Sequence, residues 1–357
     1  MTCFNVAPTA RVVIIVSVIA ASSSVRADDL QVTLQKWAAR QQSTKSFSFD
    51  WDEKFTDLST GVQREAFNRR SFSNLDDWVR FKTTGGTYQG DQLLQRDTDS
   101  GYNGEECRVI TKARDGLSHP VGVIFPEDDH LGDVKLVHST PVLLALRPLD
   151  SRLKGMNTKD LKLTGRSGSI DGSTCSIIEY PEPHGRKCEL WVDGQQDAGI
   201  RRVRHLRPDL SLSRQIDISY SQGENAQWLP SGWIITTFGP DNRVRHIYTA
   251  TVTAKELNPP LQRSDFLPEF PIGAIITDAR RPNSGFLVKE DGSRRDLTPA
   301  EARSATYDQL VATDTGQALN VTTRSRANLT LVVITVGVIF VLAALVIRRR
   351  LAGASNL

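Results

Sequence analysis

The sequence lacks the compact signatures of chemistry. Gly85-Gly86 is followed by no Lys-Ser/Thr pair, so there is no phosphate loop, and no serine sits in a G-x-S-x-G elbow. No histidine pair has zinc-helix spacing, and none of the six histidines lies at metal spacing from a cysteine. No cofactor and no metal is therefore expected. Charge of one sign is also lacking. The 44 Lys and Arg stand against 41 Asp and Glu, and Arg11, Arg26 and Arg348 to Arg350 lie at the two ends. Between Asp28 and Ile347 there remain 39 bases against 41 acids. A nucleic-acid partner needs a dense basic face and is excluded. His119, Asp128, Asp129, His130 and His138 crowd one polar region. A solvated loop accounts for them, and an anchored hydrolase using that loop is kept as an alternative.

Long apolar runs are confined to the ends. Arg11 and the apolar stretch Val12 to Ala21 precede Val25-Arg26-Ala27, which fits a signal peptide over residues 1–27. Leu329 to Ile347 is an uncharged run of 19 residues, about 28 Å as a helix and close to the hydrocarbon thickness of a bilayer. Arg348, Arg349 and Arg350 follow it, so the tail 348–357 is expected on the cytoplasmic side and the large N-terminal part outside. The expectation is a single-pass membrane protein of a cell envelope.

The outer part reads as mainly β with few helices. Asp29 starts a helical pattern carrying Leu30, Leu34, Trp37 and Ala38 on one side. Lys45 to Phe55 changes to period two, with Phe47, Phe49 and Trp51 on one face. Further strands are expected at 62–72, 78–83, 92–97, 106–112, 161–163, 175–180, 188–192, 201–206, 214–220, 233–238 and 243–254, with Gly85-Gly86 read as a turn. Asp115 to Leu136 reads as a polar break, and Thr140-Pro141 as the start of a short helix to Leu146. So many neighbouring antiparallel strands imply one curved sheet or an incomplete barrel. Residues 272–312 read as a hairpin plus a capping-box helix (Thr298, Glu301), and 313–328 as a polar stalk.

Two readings stay open for the aromatic residues. They fill an ordinary core, or a wide sheet leaves an apolar groove lined by Phe47, Phe49, Trp51 and Phe81. Cys175 and Cys188 flank the turn-rich Pro181 to Gly185 stretch. Outside the cytoplasm they are candidates for a disulfide, the other reading being two buried thiols.

The order of these features resembles the lipoprotein-carrier (LolA-type) family. The resemblance rests on the Trp37 helix, the Phe47-Phe49-Trp51 strand, the interrupting Thr140-Pro141 helix, Cys188-Glu-Leu-Trp-Val-Asp193, Trp228-Leu-Pro-Ser-Gly-Trp233 and Phe266-Leu-Pro-Glu-Phe270. It covers most of Asp29 to about Asp278, and the LolA-like domain is expected over residues 28–271. It implies a strongly curved, unclosed antiparallel barrel with helices on the concave side. It also implies a periplasmic protein of lipoprotein transport that binds the acyl chain of a lipid or lipoprotein and catalyses nothing. The terminal span departs from a freely diffusing carrier and points to a local acceptor, chaperone or sensor. A protein–protein module of the envelope, with an envelope membrane protein as partner, is the alternative.

Overall fold

The computed structural model describes residues 27–315 except 90, 113–118, 126–131, 151, 154–155, 224–225, 282 and 305. The signal segment up to Arg26, most of the stalk, the span Leu329 to Ile347 and the tail lie outside the described residues. Among the described residues no helix is long and apolar enough to cross a membrane.

The sheet is built from two meanders. The first runs β1 (Ser46–Asp57), β2 (Arg64–Leu75), β3 (Trp78–Gln89), β4 (Gln92–Tyr102), β5 (Cys107–Thr111) and β6 (Val121–Phe125). The second runs β7 (Lys162–Ile170), β8 (Ser173–Pro181), β9 (Lys187–Asp193), β10 (Gly199–Leu206), β11 (Leu212–Gln222), β12 (Trp228–Phe238) and β13 (Val244–Leu257). Antiparallel pairing of β13 with β1 joins them, from Phe47 opposite Leu257 to Asp57 opposite His246. The sheet is then extended by β14 (Ile275–Asp278), β15 (Gly285–Val288) and β16 (Arg294–Asp296), with β14 parallel to β6. The result is a single sixteen-stranded, curved, unclosed sheet whose two ends are β7 and β16.

Alternation in β1 decides which face is buried. Phe47, Phe49, Trp51 and Glu53 point inward and are essentially unexposed, while Asp52 faces solvent. Their cross-strand neighbours Phe72 and Arg70 on β2 and Ala250 on β13 continue that face. The hollow is covered by α2 (Gly132–Leu146), whose Val142 to Leu146 are all buried, and by α1 (Ala27–Ser43), whose Trp37 is fully buried. Trp37 Nε1 donates to the Ala198 carbonyl at 2.8 Å, and Arg40 Nη1 donates to the Ala145 carbonyl at 2.7 Å. Arg40 thus satisfies an orphan carbonyl in the last turn of α2.

Helix α2 begins earlier than Thr140-Pro141 predicts, and Pro141 lies inside it. An internal proline leaves the carbonyl four residues before it unpaired. That carbonyl, Val137, accepts from Arg214 Nη2 at 3.4 Å, a tertiary contact that a local reading does not contain.

Within residues 272–297 β14 and β15 form an antiparallel hairpin, and β14 also pairs in parallel with β6, so the hairpin prolongs the main sheet. The chain reaches β14 from the centre of the sheet by crossing the outer face of β3 to β5. Arg80 Nη1 donates to the Asp265 carbonyl at 2.8 Å and Arg263 Nε to the Asn103 carbonyl at 3.1 Å. Trp78 packs on the buried Phe266 with ring centroids 6.0 Å apart. A Cβ on Gly101 would lie 1.7 Å from the Phe266 carbonyl oxygen, so this crossing needs glycine beneath it. The Thr298–Glu301 capping box is present, with Thr298 N donating to Glu301 Oε2 at 2.8 Å. The helix it opens, α3 (Pro299–Ser304), stops early, and α4 (Tyr307–Thr315) follows as a second helix. The chain divides into two units, Met1–Ala302 and Arg303–Leu357, and the whole sheet lies in the first.

Candidate functional site

Helix α2 fills only part of the hollow. Beside it, under the β1 to β4 wall, a cleft of about 500 Å³ remains open. Phe55 and Tyr248, cross-strand partners stacked at 4.8 Å, form an aromatic wall together with Phe81 and Tyr88. The other lining side chains are polar, Arg70, Arg96 and His138 among them together with one carboxylate, Asp57. Gly85 and Gly86 lie inside β3 and not in a turn, and they line the cleft. Gly85 has φ of +151°, and a Cβ there would meet the Phe67 carbonyl at 2.3 Å, so only glycine leaves this stretch of wall bare.

A buried charge cluster sits beneath the cleft. Arg70 Nη2 and Nε reach Glu53 Oε1 at 2.8 and 3.0 Å, and Arg70 Nη1 donates to Thr83 Oγ1 at 2.9 Å. His138 Nδ1 lies 3.0 Å from Glu53 Oε2. A carboxylate only accepts, so this nitrogen carries the proton. His138 also stacks on Phe81 and meets Tyr248 edge-on. Glu53 therefore ties α2 to the sheet. At the rim a cross-strand row runs Thr237, His246, Asp57, with His246 3.0 Å from the Thr237 hydroxyl and 3.5 Å from Asp57.

Burial lowers the His138 pKa, the Glu53 hydrogen bond opposes that, and the Arg70 charge adds to the lowering. Burial alone would raise Glu53, but the His138 hydrogen bond and then Arg70 hold it below the ordinary carboxylate value. Both groups bind protons less readily folded than unfolded, so their contribution is present above the unfolded values and lost as pH falls. The loss starts near pH 6.5 for His138 and near 4.5 for Glu53. Thermal melts across that range are expected to show Tm falling with acidification. His138→Gln, which keeps a donor for Glu53, should flatten the upper part of the curve. A wild-type Tm independent of pH over this interval would refute the assignment.

Of the residues expected to line a groove, only Phe81 borders the cleft. Phe47, Phe49 and Trp51 are fully buried in the core, with Trp51 edge-on to Trp233 at 5.0 Å. The disulfide does not form. Cys175 is opposite Asp193 and Cys188 opposite Tyr180 on the β8–β9 ladder, and both thiols are free. Five residues of strand, about 17 Å, separate the two positions, far beyond disulfide reach. The turn-rich stretch between them had masked this offset. His138 turns out to serve Glu53, and Asp128, Asp129 and His130 lie outside the described residues. Sequence reasoning missed Glu53, Arg70 and Tyr248. The period-two alternation of β1, which puts a carboxylate on the aromatic face after Trp51, was the signal for the first.

No protein-family profile matches the chain, and no curated protein matches it. Several solved structures are similar to it over about two thirds of its length. A LolA superfamily protein from Nitrosomonas europaea is 13% identical over 68% of this chain and 99% of its own, with a TM-score of 0.41. A DUF1329 family protein from Desulfovibrio piger is 10% identical over 67% and 97%, with a TM-score of 0.36. The lipoprotein LppX of Mycobacterium tuberculosis is 13% identical over 66% and 99%, with a TM-score of 0.25.

Proposed function

We propose that this chain is an extracytoplasmic lipid-binding protein, held at its membrane by the C-terminal run 329–347, with no chemistry of its own. The cleft carries this reading. Its volume of about 500 Å³ lies within the roughly 300–1,000 Å³ of small-molecule sites. An acyl chain laid against Phe55, Phe81 and Tyr248 gains about 0.8 kcal/mol per buried methylene. The guanidinium of Arg96 at the same cleft suits an acidic or phosphate headgroup. Tethered by a polar stalk, such a domain serves as a local acceptor, chaperone or sensor of lipid or lipoprotein acyl chains.

The test uses residues 28–315 exposed to a lipid extract and measured by native mass spectrometry, with displacement of a fluorescent fatty acid as the quantitative arm. Retained lipid and saturable displacement are expected. Phe55→Asp should weaken binding about tenfold or more, because it puts a charge on the aromatic wall. A clean apo mass with no displaceable probe would defeat the proposal. Recovery of one stoichiometric cross-linked protein without lipid would assign the sheet to protein recognition instead.

A further inference from the structure

Away from the cleft, on the opposite flank of α2, three potential metal ligands converge from successive strands. Cys188 on β9 lies directly opposite His205 on β10, and Tyr180 on β8 is the other neighbour of Cys188. Glu182, just beyond the end of β8, turns back so that its Oε1 lies 2.9 Å from His205 Nδ1. One donor atom from each of Glu182, Cys188 and His205 lies within 4.8 Å of the other two. In a tetrahedral zinc site, ligand atoms stand about 3.3–3.8 Å apart, as follows from bond lengths of about 2.0–2.3 Å. Closing the difference needs about an ångström of side-chain movement, within reach of a glutamate at a hairpin end.

We propose that Glu182, Cys188 and His205 form a binding site for a borderline divalent cation, zinc foremost. The donor set argues for this class of ion: a sulfur and an imidazole exclude calcium and magnesium, which take oxygen ligands. Thiolate and carboxylate together balance the charge of the dication. Burial pushes the Cys188 thiol above its ordinary value, so the arriving cation itself has to displace the thiol proton to solvent. A pocket of about 220 Å³, lined by Tyr180, Val203, His205 and Arg214, opens on the His205 side of the cluster and leaves room for water as a fourth ligand. Loading would exchange the His205–Glu182 hydrogen bond and the thiol proton for metal bonds, and it would clamp β8, β9 and β10 together. The sequence hides this site because the ligands are separated by a hairpin and a further strand, with no short spacing to mark it. The site is independent of the lipid cleft, and either assignment stands without the other.

The experiment titrates the purified, metal-stripped full chain with cobalt(II) and then zinc. The expected result is one cobalt per chain with an intense near-ultraviolet sulfur-to-metal charge-transfer band, bleached by zinc. A zinc-dependent rise in Tm should accompany it. Cys188→Ser should abolish the band, while Cys175→Ser leaves it intact. His205→Gln and Glu182→Gln, at partly exposed positions that tolerate change, should each weaken zinc binding by about a hundredfold. The absence of a charge-transfer band in folded wild-type protein would overturn the assignment. A band that survives Cys188→Ser would overturn it as well.

Discussion

Glu53→Ala is expected to destabilise the fold by about 3–5 kcal/mol, the range for removing one partner of a buried ion pair. The reason lies in what is left behind. Glu53 is 1% exposed, Arg70 9% and His138 8%. Without the carboxylate, the Arg70 guanidinium keeps Thr83 and the face of Phe81, its carbon 5.7 Å from the ring centroid, and no other carboxylate among the described residues pairs with it. The His138 Nδ1–H loses its acceptor, and α2 loses its polar tie to β1. Urea unfolding of residues 28–315 reads the change directly. A companion variant replacing Glu53 by leucine and Arg70 by methionine removes both charges, and should recover much of the loss. A Glu53→Ala cost below about 1 kcal/mol would show that the cluster is not a buried pair in the sense that makes such pairs costly to break.

Gly101→Ala is expected to cost about 3 kcal/mol or more, at the upper end of overpacking effects. The added methyl would sit 1.7 Å from the Phe266 carbonyl oxygen and 3.0 Å from the Pro268 side chain. Both obstacles belong to a segment pinned by Arg80 and Arg263, so it cannot simply lift. Gly194→Ala is the control. Nothing lies within 4 Å of a Cβ there, and its stability should stay within about half a kcal/mol of wild type. Equal melting of the two variants would mean that the crossing segment does not press on β4.

Much of the strand inventory was legible where one face of a strand is more exposed than the other. The Phe47, Phe49, Trp51 alternation marks β1, and Val244, His246, Tyr248 and Ala250 mark β13 in the same way. Where the pattern failed, a non-local partner was the cause. Strand β6 is a five-residue segment, Val121–Phe125, inside a stretch read as a polar break, and it is paired on one side by β5 and on the other by β14, about 150 residues later. The Gly85-Gly86 pair looked like a turn because glycine usually punctuates strands, yet here it lies within β3 beside the cleft. Which aromatics border the cleft was not legible for a similar reason. Period two tells which aromatics share a face, but it does not tell which of them a covering helix will seal. Trp51 is sealed in the core, Phe81 borders the cleft with only 5% of its surface exposed, and Phe55 and Tyr248 stay half-buried along it.

The joint between the two meanders carries a kinetic consequence. Strand β1 is the first strand of the sheet to be synthesised, yet its β13 partner arrives about 200 residues later, a large sequence separation that slows assembly. Until then the Phe47 to Phe55 edge has neighbours on one side only and is open to wrong pairing. An escort that shields this edge during the wait would speed maturation.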